Sequence, residues 1–542
     1  MKKLVLKILF FVILQTPIFA TTYYVDAVNG NNSYNGLTIA TAKKTLSWFS
    51  YSTTFLQPGD TILLLNGTYT GGTSFAILAL RASGTPTNPI TIKNYSGHSP
   101  LLQMNDSQWH AIHLGESIHD IIIDGLKIRG NAANINLSDA LNQPGSCANT
   151  TGSPIPKFNG NGITIDGRTN DALVHHITIR NCEIFECSGG GLISLRADYL
   201  NYENNFIYNN SWYTIYGSSG ISNLNSMNYD SHSSGGYTMI IKNNVVYGNE
   251  LYVPWIGPCL IYDGNGIIVD SENNVTIGKP AYTGKTLIEN NIVHHNGGRG
   301  IHMLNSNNVD VINNTCYMNG RSPAISDGEI TVQGATNVRI FNNIMYARDG
   351  ERANYKDAPS TGFSSGNNLI YNAASNKISF TNTTDKVNQD PLFVNTDLNT
   401  GNFNVQNTSP AINAGNTIIF APKDYEGVIR PQGPTSDIGA YEFVGSLSNT
   451  AFNETFNNLL IYPNPSSSDA KLRYSVKQKE NIKITLYDCL GKELLQLINE
   501  EQYEGEYELA IKTSQLQNGI YYIRLNNGYS DEKSIKFIVK SR

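Results

Sequence analysis

Charge is scarce in this chain of 542 residues, where Asp, Glu, Lys and Arg make up 15% against roughly 25% in an average globular protein. Against that background Asp263, Asp270, Arg299, His302, Asp327 and Glu329 fall close together. Two chemistries use such a set. β-Elimination from a uronate polysaccharide needs a base for the C5 proton, here His302 or Arg299, and positive charge to neutralise the sugar carboxylate. A bound Ca²⁺ supplies that charge, with Asp263, Asp270 and Glu329 as its candidate ligands. Hydrolysis needs two carboxyl groups, one of them protonated, about 5 Å or 6.5–9.5 Å apart. Asp270 with Asp263 or Glu329 can serve. The plain alternative is that Asp263 and Asp270 cap turns, while Arg299 pairs with one of them.

Just before this cluster lies a stretch holding Tyr229, Asp230, His232, Tyr237, Tyr252 and Trp255, preceded by Tyr213 and Tyr216 and ending at Asn265. Exposed aromatics suit stacking on sugar rings. Tyr216, Asp230, His232, Trp255 and Asn265 are therefore the candidate substrate-binding residues. The competing reading makes the aromatics plugs over hydrophobic surface.

Such distant residues meet only if the backbone repeats. Gly (48) and Tyr (31) are abundant and hydrophobic residues reach 40%, enough for a sizeable core and a poor composition for long helices. A unit apolar-x-apolar-x-Asn-Asn-x-apolar recurs, anchored at Asn181, Asn204, Asn243, Asn290, Asn313 and Asn342, with steps of 23, 39, 47, 23 and 29 residues. A second ladder runs through Gly162, Gly191, Gly220, Gly266 and Gly300, with steps of 29, 29, 46 and 34. Short alternating strands repeating at this period predict a stacked solenoid. The Asn column reads as structural, its amides satisfying backbone groups at a corner.

Aligning the glycines predicts an inward column (Ile163, Leu192, Ile221, Ile267, Ile301) and an outward one (Thr164, Ile193, Ser222, Ile268, His302). Neighbouring coils lie about 4.8 Å apart, so the charged cluster falls on three successive coils. The long step between Gly220 and Gly266 predicts an excursion that builds a binding groove.

YYVDAVNGNNSYNG near the start, then PGDTILLLNGTY, PITIKNYSG, DPLF (390–393), SPAINAG (409–415) and DIGAYEF (437–443) resemble the right-handed parallel β-helix proteins of the pectate-lyase-like superfamily. The resemblance covers roughly residues 22–445. It implies an all-β fold, a right-handed parallel β-helix; superfamily members include lyases, hydrolases, epimerases and adhesins. After residue 445 the Asn ladder stops. IYPNP (461–465), KITLYDCLGKEL (483–494), NGIYYIRL (518–525) and KSIKFIVKSR (533–542) resemble the C-terminal sorting domain of the type IX secretion system. That resemblance implies passage through the outer membrane by the type IX machinery, then release or surface attachment. The alternating strands there predict a small β-sandwich.

The domain plan is a signal peptide over 1–20, a β-helix over 21–445, a linker over 446–457 and the sorting domain over 458–542. Lys2, Lys3 and Lys7, the apolar run Ile8 to Leu14, and Ala20 carry the signal reading. No later run is long and apolar enough to predict a transmembrane anchor. Of six Cys, Cys147 and Cys259 lie in loop-like sequence and are the candidate bridge. Between the signal and residue 451 the chain carries 23 basic and 32 acidic residues. That balance disfavours nucleic acid, and would repel a polyanion unless a local cluster or a cation inverts it. The expectation is a secreted, monomeric enzyme of the extracellular space or cell surface, acting on a polysaccharide. Elimination of an acidic glycan leads, with hydrolysis and non-catalytic glycan binding as alternatives.

Overall fold

The computed structural model describes residues 20–542 except 51–55, 72–74, 358–359, 399–400, 445–455, 465, 477, 489–491, 515, 527–531 and 541–542. The signal-peptide expectation thus lies almost wholly outside the described residues, as does most of the linker. Two compact units divide between Phe443 and Val444.

The N-terminal unit is a parallel β-helix. Three parallel sheets of eleven, nine and eleven strands each take one strand from successive coils. The nine-stranded sheet runs from Ala76–Leu80 to Asn354–Lys356 and carries the predicted glycine ladder at the starts of its strands. Its register pairs Ile163 with Leu192, Ile221, Ile267 and Ile301 in turn, and Thr164 with Ile193, Ser222, Ile268 and His302. The first column points inward. It joins one continuous core, all five members at 0% exposure, with Val269, Met303 and Val311. Alternation then turns Ser222, Ile268, Asp270 and His302 outward.

Each Asn-Asn pair divides its labour. The first residue, as at Asn204, Asn243, Asn290, Asn313 and Asn342, takes a left-handed backbone with φ of 53 to 58°, which Asn tolerates because its short side chain bonds locally. The second residue builds the ladder. Asn205 Nδ2 donates to Asn244 Oδ1 at 2.9 Å, Asn244 Nδ2 to Asn291 Oδ1 at 2.9 Å, and Asn314 and Asn343 continue the series. Each oxygen also accepts a backbone N–H from the coil before, as Asn244 Oδ1 does from Asn205 at 3.0 Å. Buried backbone at a corner needs such partners.

A second ladder, at the next corner, runs Asn210, Asn249, Asn296 and Asn319. Its last rung is Glu329, whose two oxygens accept the Asn319 backbone N–H at 2.9 Å and Nδ2 at 2.5 Å.

The excursion between Gly220 and Gly266 is two loops, not one. Strands Tyr237–Lys242 and Val245–Tyr247 interrupt it. Residues 225–236 follow the end of the nine-stranded sheet's strand Ile221–Leu224, whereas 248–266 precede its next strand, Ile267–Asp270. The later loop is tied to an earlier one by the Cys147–Cys259 disulfide, with Cα atoms 5.7 Å apart. Ile135, Phe158, Ile215 and Val253 form a separate small core under these loops.

The C-terminal unit holds two antiparallel sheets, of three and four strands. Tyr474, Ile484, Ile523 and Phe537 are in its core.

Candidate active site

The outer face of the nine-stranded sheet gathers most of the predicted cluster. Asp270 closes the strand Ile267–Asp270 and points outward, its carboxylate accepting from the Ser271 hydroxyl at 2.7 Å. Asp263 reaches the same region from the loop before that strand. Asn265 Nδ2 donates to it at 3.1 Å and also to Ser219 Oγ at 3.0 Å, fixing the loop end to the previous coil. Gly217 makes room for the carboxylate, because a Cβ there would lie 2.3 Å from Asp263 Oδ2. Trp255, 40% exposed, flanks the same glycine, and Tyr216, 42% exposed, is next to it in sequence.

The two carboxylates feel each other. Burial pushes Asp270 up to about 6, and the charge of Asp263 adds to that against the Ser271 hydrogen bond. Asp263 is also raised by burial, against the pull of the Arg299 guanidinium and Asn265. Removing charged groups from water disfavours ionisation, and two carboxylates at one site disfavour it further.

Arg299 is fully engaged. Its Nε donates to Asp327 at 3.0 Å, its Nη2 pairs with the same carboxylate, and its Nη1 reaches the Tyr262 carbonyl. It is a buried brace that also lends charge to Asp263. His302 is 2% exposed, with Nε2 2.8 Å from Gln333 Oε1. Burial and Arg299 hold its pKa well below the ordinary histidine value. Arg299 is thus spent on its partners, while His302 donates from Nε2 and keeps an Nδ1 lone pair unmet among the described residues.

Glu329 does not join them. It is fully buried as the end of the second Asn ladder, and burial pushes its pKa up to about 8. Acting as an asparagine substitute consumes both oxygens, so Asp263, Asp270 and Glu329 do not converge into the expected Ca²⁺ ligand set. Among the described residues no group of three His, Cys, Asp or Glu side chains forms a metal cage.

Asp230 and His232 sit in the 225–236 loop, which leaves the sheet at the Asp270 end of its strands, opposite to the end that Asp263 and Trp255 enter. His232 Nε2 is 2.8 Å from Asp198 Oδ2 and its Nδ1 is 2.9 Å from Thr283 Oγ1, while Asp230 accepts from Tyr199 Oη at 2.9 Å. They brace a loop and do not share the groove of Tyr216 and Trp255. Tyr237 and Tyr252 are likewise bonded to Asp310 and Glu250.

Two features escaped the sequence reading. Asp166, with Arg168 bonded to it at 2.9 and 2.8 Å, stands in the Asp270 column three coils earlier. A cavity of about 650 Å³ lies on other coils, lined by Gln103, Asp106, Arg129, Asn131 and Asn134 among others, with one acid in its wall. A lone acid does not make a hydrolytic pair.

Residues 460–540 match the family model described as the secretion system C-terminal sorting domain. The C-terminal unit carries the export signal. The sorting domain places the protein at the cell surface or in the extracellular space, and no helix among the described residues is long and apolar enough to cross a membrane. No curated protein matches the chain.

Among solved structures, the GH136 lacto-N-biosidase of Eubacterium ramulus is 18% identical, with a TM-score of 0.39, covering 65% of this chain and 56% of that one. The chain thus spans just over half of that protein. The A-module of the Azotobacter vinelandii mannuronan C-5 epimerase AlgE4 is 16% identical over 61% of this chain and 89% of its own, with a TM-score of 0.28. A mannuronic acid specific polysaccharide family 6 lyase from human gut microbiota is 13% identical over 66% of each chain, with a TM-score of 0.31.

Proposed function

We propose that the protein is an exported glycoside hydrolase of a polysaccharide, cutting it between Asp263 and Asp270. The observation that carries this reading is the coupled pair itself. One carboxyl is held near pKa 6, and the other, also raised by burial, has a guanidinium beside it that opposes the rise, next to two exposed aromatic side chains. Environments that differ between two carboxyls are what assign acid and base.

Asp270, protonated below about pH 6, donates its proton to the glycosidic oxygen as the C1–O bond breaks. Asp263, ionised beside Arg299, acts at C1. It either attacks the carbon itself, with water later replacing it, or takes a proton from the attacking water. A carboxyl separation of about 5 Å selects the first course and 6.5–9.5 Å the second. Either way one water is consumed and its hydroxyl ends on C1; its proton returns to Asp270 in the first course, and in the second passes to Asp263, which releases it to solvent as Asp270 takes one up. Tyr216 and Trp255 supply ring faces for neighbouring sugars.

The elimination reading loses support because Arg299, its candidate source of positive charge, is spent on Asp327 and the Tyr262 carbonyl. Incubating the secreted protein with a polysaccharide panel tests the choice. Hydrolysis releases reducing ends without the ultraviolet absorbance of an unsaturated uronate, and Asp270→Asn abolishes the release. Absorbing products that persist in Asp270→Asn would overturn it.

A further inference from the structure

The outer face of the sheet holds an arrangement around Ile268 that the two carboxylates alone do not explain. Ser222, Ile268 and His302 occupy one outward column on three successive coils. Coil spacing puts the Ser222 and His302 backbones about 9.6 Å apart, with the aliphatic Ile268 side chain between them. Ser222 is 9% exposed and His302 2% exposed, yet Ser222 Oγ and His302 Nδ1 have no hydrogen-bond partner among the described residues. Buried polar atoms are rarely left so. Along the strand, Asp263 enters from one side and Asp270 closes the other.

The chemistry of the unmet atoms is specific. Gln333 Oε1 accepts the proton on His302 Nε2, so neutral His302 presents a lone pair at Nδ1 and needs a donor. Ser222 Oγ can donate or accept. An apolar floor with hydroxyl-binding atoms on two opposite edges and carboxyls on the other two matches one pyranose ring. Its C–H face would lie on Ile268, its hydroxyls would reach Ser222 and His302, and its C1 would fall between the acids. Arg299 is bonded to Asp327 and the Tyr262 carbonyl. A sugar carboxylate here would meet two aspartates and an imidazole lone pair.

We propose that Ser222, Ile268 and His302 form the subsite for the sugar whose bond is cut, and that this sugar is uncharged: a hexose or hexosamine derivative, not a uronate. The inference rests on the hydrolytic reading and narrows its substrate class.

The test uses nitrophenyl glycosides of neutral hexoses, N-acetylhexosamines and hexuronic acids in both anomers, with monodeoxy versions of the best one. Wild type should cleave a neutral or N-acetylated glycoside at least 10²-fold faster, in kcat/KM, than the matching hexuronide. Ser222→Ala should lose about tenfold on the parent sugar and nothing further on the deoxy analogue lacking the bonded hydroxyl. Wild type should lose tenfold on that analogue alone. A merely structural serine would leave the two losses additive. Hexuronides cleaved as fast as neutral sugars, or additive losses, would overturn the subsite while leaving hydrolysis standing.

If no glycoside is turned over, saturation-transfer NMR of Asp270→Asn with neutral and hexuronic oligosaccharides decides. Binding of the neutral ones alone, lost in Ser222→Ala, keeps the subsite even though hydrolysis fails. Preference for the hexuronic ones, or no binding of either, removes it.

Discussion

Two aspartates of this molecule, Asp198 at the start of Ala197–Glu203 in an eleven-stranded sheet and Asp270 at the end of Ile267–Asp270 in the nine-stranded one, have opposite fates. Asp198, at 0% exposure, receives four hydrogen bonds: the Tyr199 and Tyr229 backbone N–H groups at 2.8 and 2.7 Å, the Tyr282 hydroxyl at 2.6 Å and His232 Nε2 at 2.8 Å. Among the described residues the Asp270 carboxylate receives one, from Ser271. Both are acidic residues in inserted or strand-end positions, and neither local sequence distinguishes them. A carboxylate met on every side holds loops together. One withdrawn from water without enough donors has its pKa displaced and can trade a proton.

The sharpest way to break this comparison is to remove each carboxylate in turn. Asp270→Asn should lower kcat by roughly 10²–10⁴-fold, the usual weight of a general acid, with an unchanged melting temperature. Asp198→Ala leaves four donors without their acceptor, each costing about 1–3 kcal/mol when buried. It should lower the unfolding free energy by about 3 kcal/mol or more while the folded fraction keeps its kcat. Urea melts and initial rates on both variants settle the matter. Equal effects on stability would mean that Asp270 is another brace.

A smaller effect comes from crowding the pair without touching it. Gly217→Ala places a methyl 2.3 Å from Asp263 Oδ2, so the carboxylate must swing away. Misplacement of about 1 Å can cost 10²-fold in rate, so kcat should fall by about that much with little change in the far-UV spectrum. The pH profile tests the same pair without mutation. Asp270 must be protonated to act, so kcat/KM should fall as pH rises through about 6.

The architecture was legible because it repeats. Alternation and the Asn and Gly ladders reported strands, corners and even the register of Ser222, Ile268 and His302, since any departure would turn inward residues to solvent. The site was legible only as a neighbourhood. Glu329 and Asp263 look alike in sequence, but one completes an interior ladder whose other rungs are Asn210, Asn249, Asn296 and Asn319. Those asparagines lie five residues after Asn205, Asn244, Asn291 and Asn314 and repeat with the same steps, a signal the sequence reading passed over, whereas Glu329 comes ten residues after Asn319 and breaks that spacing. The 46-residue step between Gly220 and Gly266 hid two loops because the strands inside it are short. That is why Asp230 and His232 were grouped with Trp255.

Glu329 offers the finest test of the contrast, since it is a buried acid that is met on both oxygens and still displaced. Its folded pKa is about 8, against about 4.3 for an unperturbed glutamate. Between those values the folded chain holds a proton that the unfolded chain has released. Stability from this group is therefore fully present below about pH 4.3 and is lost as pH rises through 8. Gln carries no ionisable proton, and its carbonyl can accept from Asn319 as the other rungs accept from one another. Glu329→Gln should thus flatten the decline in urea midpoint between pH 5 and pH 8.5 relative to wild type, with kcat unchanged at pH 5.5. A parallel decline in both proteins would show that Glu329 stays ionised in the ladder, and a loss of kcat at pH 5.5 would return it to the active site.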